Sequence, residues 1–70
     1  MTEGGREVPG VVTEQRPSAL YRVVLDSGHE VLAHIGGEHR GNFVRILVGD
    51  RVLVALSPRD RTRGRIVERL

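Results

Sequence analysis

Residues 19–35 read Ala19-Leu20-Tyr21-Arg22-Val23-Val24-Leu25-Asp26-Ser27-Gly28-His29-Glu30-Val31-Leu32-Ala33-His34-Ile35. Two apolar, β-branched runs flank Asp26-Ser27-Gly28, a turn signal because glycine takes the positive φ that a tight hairpin needs. In the first run Tyr21, Val23 and Leu25 fall on one face at period two, with Arg22 and Val24 opposite. In the second, Val31, Ala33 and Ile35 share a face and Leu32 and His34 take the other. The stretch therefore reads as a β-hairpin with strands over 19–25 and 30–35.

Working outward, residues 8–15 read as a preceding strand, with Gly10 marking a bulge or bend and Arg16-Pro17-Ser18 a turn. After the hairpin, Gly36-Gly37-Glu38-His39-Arg40-Gly41-Asn42 cannot be a strand, and Glu38 to Arg40 fits one short helical turn. Phe43-Val44-Arg45-Ile46-Leu47 then reads as an anchored extended segment leading to a Gly49-Asp50 turn. Residues 51–56 are a fourth strand with Val52, Val54 and Leu56 facing one way, ended by Ser57-Pro58. A polar loop over 59–64 precedes a short fifth strand over 65–69. Five short strands with a helical turn between the third and fourth is the plan of a five-stranded oligonucleotide-binding (OB) barrel of S1-like type, an all-β fold. Residues 1–7 are expected to be a flexible tail and 8–70 the barrel. Seventy residues make one domain that buries about 60% of its unfolded surface. Truncating a buried Val23 or Ile35 should then cost roughly 2–4 kcal/mol.

The charges are unevenly placed. All 11 cationic side chains are Arg, against 9 carboxylates, for a net +2. Residues 1–50 hold five Arg against seven carboxylates, a balance of −2, and residues 51–70 hold six against two, a balance of +4. Clustered Arg displaces condensed counterions from phosphates, so this asymmetry points to a polyanionic partner, with a solvated charged face as the competing reading of charge alone. The absence of Cys excludes a disulfide framework, a thiolate zinc site and a Cys nucleophile. Apolar runs of only a few residues exclude a membrane helix, no signal segment is recognised at the start, and a cytoplasmic protein is expected. Tyr21 and Phe43 are the whole aromatic supply, which argues against a site built on base stacking.

Catalytic constellations are missing from the chain. His29, His34 and His39 recur every five residues, but an odd spacing places His29 and His34 on opposite faces of a strand, and nothing completes a ligand set. His34 reads as a partly buried strand histidine and His29 as a turn residue. Ser18, Ser27 and Ser57 lie in turns beside Pro or Gly, and no Gly-x-Ser-x-Gly exists. Gly36-Gly37 lacks the spacing and the Lys of a phosphate-binding loop. No enzyme activity, cofactor or metal is expected.

The residues themselves resemble a known family. Tyr21-Arg22-Val23, Ser27-Gly28-His29, Ala33-His34-Ile35, Asn42-Phe43-Val44-Arg45-Ile46-Leu47, Gly49-Asp50, Val52, Val54, Leu56-Ser57-Pro58, Asp60 and Gly64-Arg65-Ile66 follow, in order, the pattern of bacterial translation initiation factor one. The resemblance runs over residues 9–69. It implies a monomeric OB barrel seated in the A site of the small ribosomal subunit, touching rRNA and a ribosomal protein, acting with the other two initiation factors and closing the site to elongator tRNA. It carries rRNA contact onto Arg40, Arg45 and Arg65, with Arg63 at a usually basic position and His34 and Asn42 as weaker members. Arg59 and Arg61 are supported by local charge alone, since the family usually has Tyr and Leu there.

The departures concentrate in two loops. Where the family usually reads Ser-Gly-Lys-Met-Arg-Lys, this chain has Gly36-Gly37-Glu38-His39-Arg40-Gly41, losing two cations and gaining an anion. The loop before the fifth strand gains Arg59 and Arg61, the usual Leu-Pro-Asn turn is Arg16-Pro17-Ser18, and Glu68 replaces a common aromatic. Cationic contact is thus expected to have moved toward the last loop, in a divergent or duplicated member. A cold-shock-like RNA chaperone and a protein-interaction OB module are the rival readings, because a barrel of this kind hosts unrelated functions.

Overall fold

Alternation decides which side of each strand turns inward, and the computed structural model, which describes residues 6–35 and 46–70, follows it closely. The strands are β1 (Glu7–Arg16), β2 (Leu20–Leu25), β3 (Glu30–Ile35), β4 (Arg51–Leu56) and β5 (Arg63–Arg69). They close into a barrel in the order β1-β2-β3-β5-β4, with β4 returning to β1. Every pairing is antiparallel except that of β3 with β5. This is the OB barrel expected from the strand count. The helical turn expected at Glu38–Arg40 and most of the Phe43–Leu47 segment lie outside the described residues.

The inward residues are those with the right parity. Val12, Tyr21, Val23, Leu25, Val31, Ala33, Ile46, Val52, Val54 and Ile66 form one buried cluster. Val23, Ala33, Val52, Val54 and Ile66 have no accessible surface, and Ile35 and Leu56 pack against the cluster half-buried. Each fully buried aliphatic side chain contributes about 1.5–3 kcal/mol of transfer free energy, and no polar side chain is buried among the described residues to offset it.

Closure requires strands to coil against one another at short range. Gly10 is paired on both sides, with Leu25 of β2 and Val52 of β4. A Cβ there would stand 2.8 Å from Val23 Cγ1 and 2.8 Å from the Val24 carbonyl oxygen. Gly64 of β5 is equally constrained, 2.7 Å from Val54 Cγ1 and 2.9 Å from the Ala55 carbonyl oxygen. Gly10 is therefore a point of close approach, and the bulge expected there sits instead between Val12 and Glu14, at Thr13, whose hydroxyl donates to the Arg22 carbonyl (3.3 Å). A second register shift, between Leu53 and Val54 of β4, leaves Val67 of β5 without a residue opposite, buried but outside the core cluster that holds Ile66.

Turns and strand pairing together explain three boundary differences. In the β2–β3 hairpin, Gly28 N–H donates to the Leu25 carbonyl (2.8 Å) and Gly28 takes φ +98°, as the Asp-Ser-Gly reading requires. Between β1 and β2 both Ser18 and Ala19 take positive φ, 65° and 60°, so the turn consumes Ala19 and β2 starts at Leu20. β1 begins at Glu7, opposite Ala55. β5 begins at Arg63, two residues before its expected start, because its parallel pairing with Leu32 recruits the polar end of the loop. No described helix is long and apolar enough to cross a membrane.

Candidate nucleic-acid interface

Parallel pairing of β3 with β5 sets His34 beside Arg65 and Leu32 beside Arg63, and β2 adds Leu20 opposite His34 and Arg22 opposite Leu32. All six positions have outward parity. Together with Pro58 at the end of β4, Leu20, Leu32, His34, Arg63 and Arg65 line an open groove of about 450 Å³. The groove has an apolar floor and a cationic rim. A smaller hollow of about 200 Å³ continues it along β2, between Arg22, Glu30 and Arg63.

The loop that borders the groove is held by its own hydrogen bonds. Ser57 Oγ accepts from the backbone N–H groups of Arg59 (3.2 Å) and Asp60 (3.3 Å). Asp60 Oδ1 accepts from the Thr62 N–H (3.0 Å) and its hydroxyl (2.6 Å), and the Asp60 carbonyl accepts from Arg63 N–H (3.0 Å). Ser57 N–H in turn donates to the Arg63 carbonyl (2.9 Å), closing the loop's base. The two bonds from Thr62, with the nearby Arg63 charge, hold the Asp60 carboxyl below its ordinary pKa. The loop is thus ordered before any ligand arrives, which lowers the entropy lost on binding.

Ion pairing sorts the guanidiniums into two sets. Arg22 lies between Glu14 (3.1 Å) and Glu30 (3.0 Å), and these hydrogen bonds raise its pKa further. Arg16 reaches Glu14 (3.7 Å), Arg51 pairs with Asp26 (3.2 Å) and Arg69 with Asp50 (4.0 Å). By contrast, Arg59, Arg61, Arg63 and Arg65 have no ion-pair partner among the described residues, and all four are exposed. The positive potential expected from counting charges is therefore concentrated at the β4–β5 loop and the start of β5. An incoming phosphate meets these cations without first displacing a carboxylate.

Of the residues singled out in the sequence, His34, Arg63 and Arg65 share the groove. His34 is exposed there, a correction to the partly buried strand histidine expected, because its parity is outward. Arg59 is exposed on the loop, and Arg61 faces a different groove beyond the Leu56–Pro58 ridge. Arg40, Asn42 and Arg45 lie outside the described residues. Leu20 and Leu32 were not among the candidates, although apolar residues at outward parity in β2 and β3 were a readable signal. Tyr21 is only 6% exposed and belongs to the core, so it offers no platform for an unstacked base and removes the feature nearest to a cold-shock-like surface.

Comparison with known proteins agrees with this geometry. Residues 1–70 match the family described as eIF-1a, translation initiation factor 1A / IF-1. Among solved structures, the chain is similar to the solution structure of the translation initiation factor IF-1 from the Wolbachia endosymbiont strain TRS of Brugia malayi. The two are 46% identical with a TM-score of 0.72, over 93% of this chain and 77% of that one. A closed OB barrel bearing unpaired guanidiniums, matched over its full length, makes this chain a member of the translation initiation factor 1A / IF-1 family, an RNA-binding protein of translation initiation.

Proposed function

We propose that this protein binds the A site of the small ribosomal subunit through rRNA phosphates, acts there with the other two initiation factors, and works in the cytoplasm as a binding factor with no catalytic role. The observation that carries the reading is the pair of exposed guanidiniums at 63 and 65, free of carboxylates among the described residues and sharing a groove with His34, with Arg59 exposed and likewise unpaired on the adjoining loop. An Arg-rich, aromatic-poor surface suits folded rRNA, which is contacted through phosphates and groove shape. Arg adds a planar fork that pairs bidentately with phosphate. Arg65 and Arg63 are proposed as the principal phosphate contacts, His34 as a hydrogen-bonding neighbour, and Arg59 as a contribution from the ordered loop. Arg40, Asn42 and Arg45 complete the set by family resemblance.

The test is equilibrium binding of the protein to purified small subunits across a salt series. The Arg63→Gln/Arg65→Gln variant should lose about 10-fold or more in affinity, and its log–log salt slope should flatten by about 1.5–2, as expected for two lost phosphate contacts. Arg51→Gln, at a cation already paired with Asp26, should leave both quantities close to wild type. Unchanged affinity and slope in the double variant would rule out this face as the rRNA contact.

A further inference from the structure

A second cationic groove lies across the Leu56–Pro58 ridge from the first, and neither the family resemblance nor the proposed rRNA contact accounts for it. It has a volume of about 400 Å³, within the range of small-ligand sites. Its rim carries Arg6, His29 and Arg61, and its floor is Val8, Leu56 and Pro58. These residues come from four parts of the chain. Leu56 N–H donates to the Arg6 carbonyl (2.8 Å), extending the β1–β4 ladder by one residue and carrying Arg6 to the barrel end. Asp26 N–H donates to the Pro9 carbonyl (3.1 Å), holding the β2–β3 turn and its His29 beside the start of β1. The self-bonded β4–β5 loop delivers Arg61 from the other side.

The electrostatics of this groove are one-sided. No carboxylate lines it among the described residues. The acids next to the rim residues in sequence are engaged: Glu30 pairs with Arg22 (3.0 Å), Asp26 pairs with Arg51 (3.2 Å), Asp60 accepts from Thr62, and Glu7 also has a partner. Neither Arg6 nor Arg61 has an ion-pair partner among the described residues. His29 Nδ1 is bonded to Ser27 Oγ (3.1 Å), which orients the ring and leaves Nε2 for a ligand. Two guanidiniums and an imidazole around an apolar floor match a ligand that joins a phosphate to a body able to pack on Val8 and Pro58. Inorganic phosphate would use only the rim, and the floor has no aromatic ring to select among bases.

We infer that Arg6, His29 and Arg61 form a nucleoside-phosphate site at the end of the barrel, the phosphate held by the two guanidiniums and the imidazole and the ribose and base laid on Val8, Leu56 and Pro58. The ligand is a nucleotide, either free or as one residue of an RNA strand. The site shares the Leu56–Pro58 wall with the His34–Arg63–Arg65 groove but none of that groove's three polar side chains, and it stands or falls without them.

The experiment is an NMR titration of the ¹⁵N-labelled full chain with ADP, GDP, inorganic phosphate and a hexameric single-stranded RNA, each at fixed ionic strength. Saturable shifts are expected at the amides of residues 6–8, 27–29 and 56–61. Shifts with the diphosphates assign a free nucleotide; shifts there with the hexamer alone assign a nucleotide within a strand. Arg6→Gln/Arg61→Leu should weaken the response at least 10-fold, while Arg51→Gln should not. A dispersed spectrum of each variant confirms folding, since both substituted positions are exposed. Four outcomes would overturn the site: no saturable shift at these residues, equal affinity for inorganic phosphate and nucleotide, undiminished binding in the double variant, or shifts confined to residues around His34, Arg63 and Arg65. Binding of an Asp/Glu-rich peptide at these amides without a nucleotide response would overturn it as well.

Discussion

At Ser18 and Ala19 two consecutive side-chain-bearing residues sit in the left-handed region, at φ 65° and 60°. This conformation costs a residue with a Cβ about 1 kcal/mol or more, and glycine adopts it freely. Ala19→Gly should therefore raise stability by about 0.5–1 kcal/mol in chemical denaturation, since the strain removed exceeds the entropy that glycine adds to the unfolded chain. Residue burial also separates two core positions that alternation alone treats as equals. Val23 is fully buried, so Val23→Ala should cost about 2–3 kcal/mol, whereas Ile35 is only partly covered and Ile35→Ala should cost less despite deleting more atoms. Denaturant midpoints of the two variants, with unchanged m-values, check the order.

Among the elements, the β4–β5 loop depends most on a single ionised group. The Asp60 carboxyl is depressed in the folded state by its Thr62 bonds. A depressed carboxyl stabilises at every pH above its unfolded value of about 3.9, and that contribution is lost as pH falls through the lower, folded value. The loop should therefore be unaltered from pH 7 to pH 5 and loosen only in stronger acid. The Thr62 amide shift, followed by NMR, should report this transition in the wild type and be flat over the same range in Asp60→Asn. The β1–β2–β3 face behaves differently, because Arg22 and its two carboxylates form a solvent-screened network that adds little to stability. Its main effect is to neutralise that face and leave the field to the last loop.

For the whole molecule, closure of the barrel rests on strands passing within contact distance at Gly10 and Gly64. Gly10→Ala places a methyl against Val23 Cγ1 and two backbone atoms, the Val24 oxygen and Leu25 Cα, and backbone in a paired strand cannot step aside. The variant should lose about 1–3 kcal/mol, read as a lowered thermal midpoint, and more if β1 detaches from β4. Closure also distributes the cations, because the β3–β5 pairing brings Arg63 and Arg65 to His34 across about thirty residues of sequence.

Much of this was legible in the residues. Strand existence, inward parity and the Asp26-Ser27-Gly28 turn follow from local rules, since side chains alternate at period two and only certain residues accept positive φ. The positional charge balance located the basic end, and the order of the motif residues located the family. Partner strands, close approach and pairing of charges are set by residues distant in the chain, and there tertiary structure decided. It made Gly10 a contact point and put the bulge at Thr13, began β5 at Arg63, and left His34 exposed and not partly buried. It also divided the nine described arginines, equivalent in the sequence, since a guanidinium's availability for phosphate depends on whether the fold has already brought a carboxylate within reach.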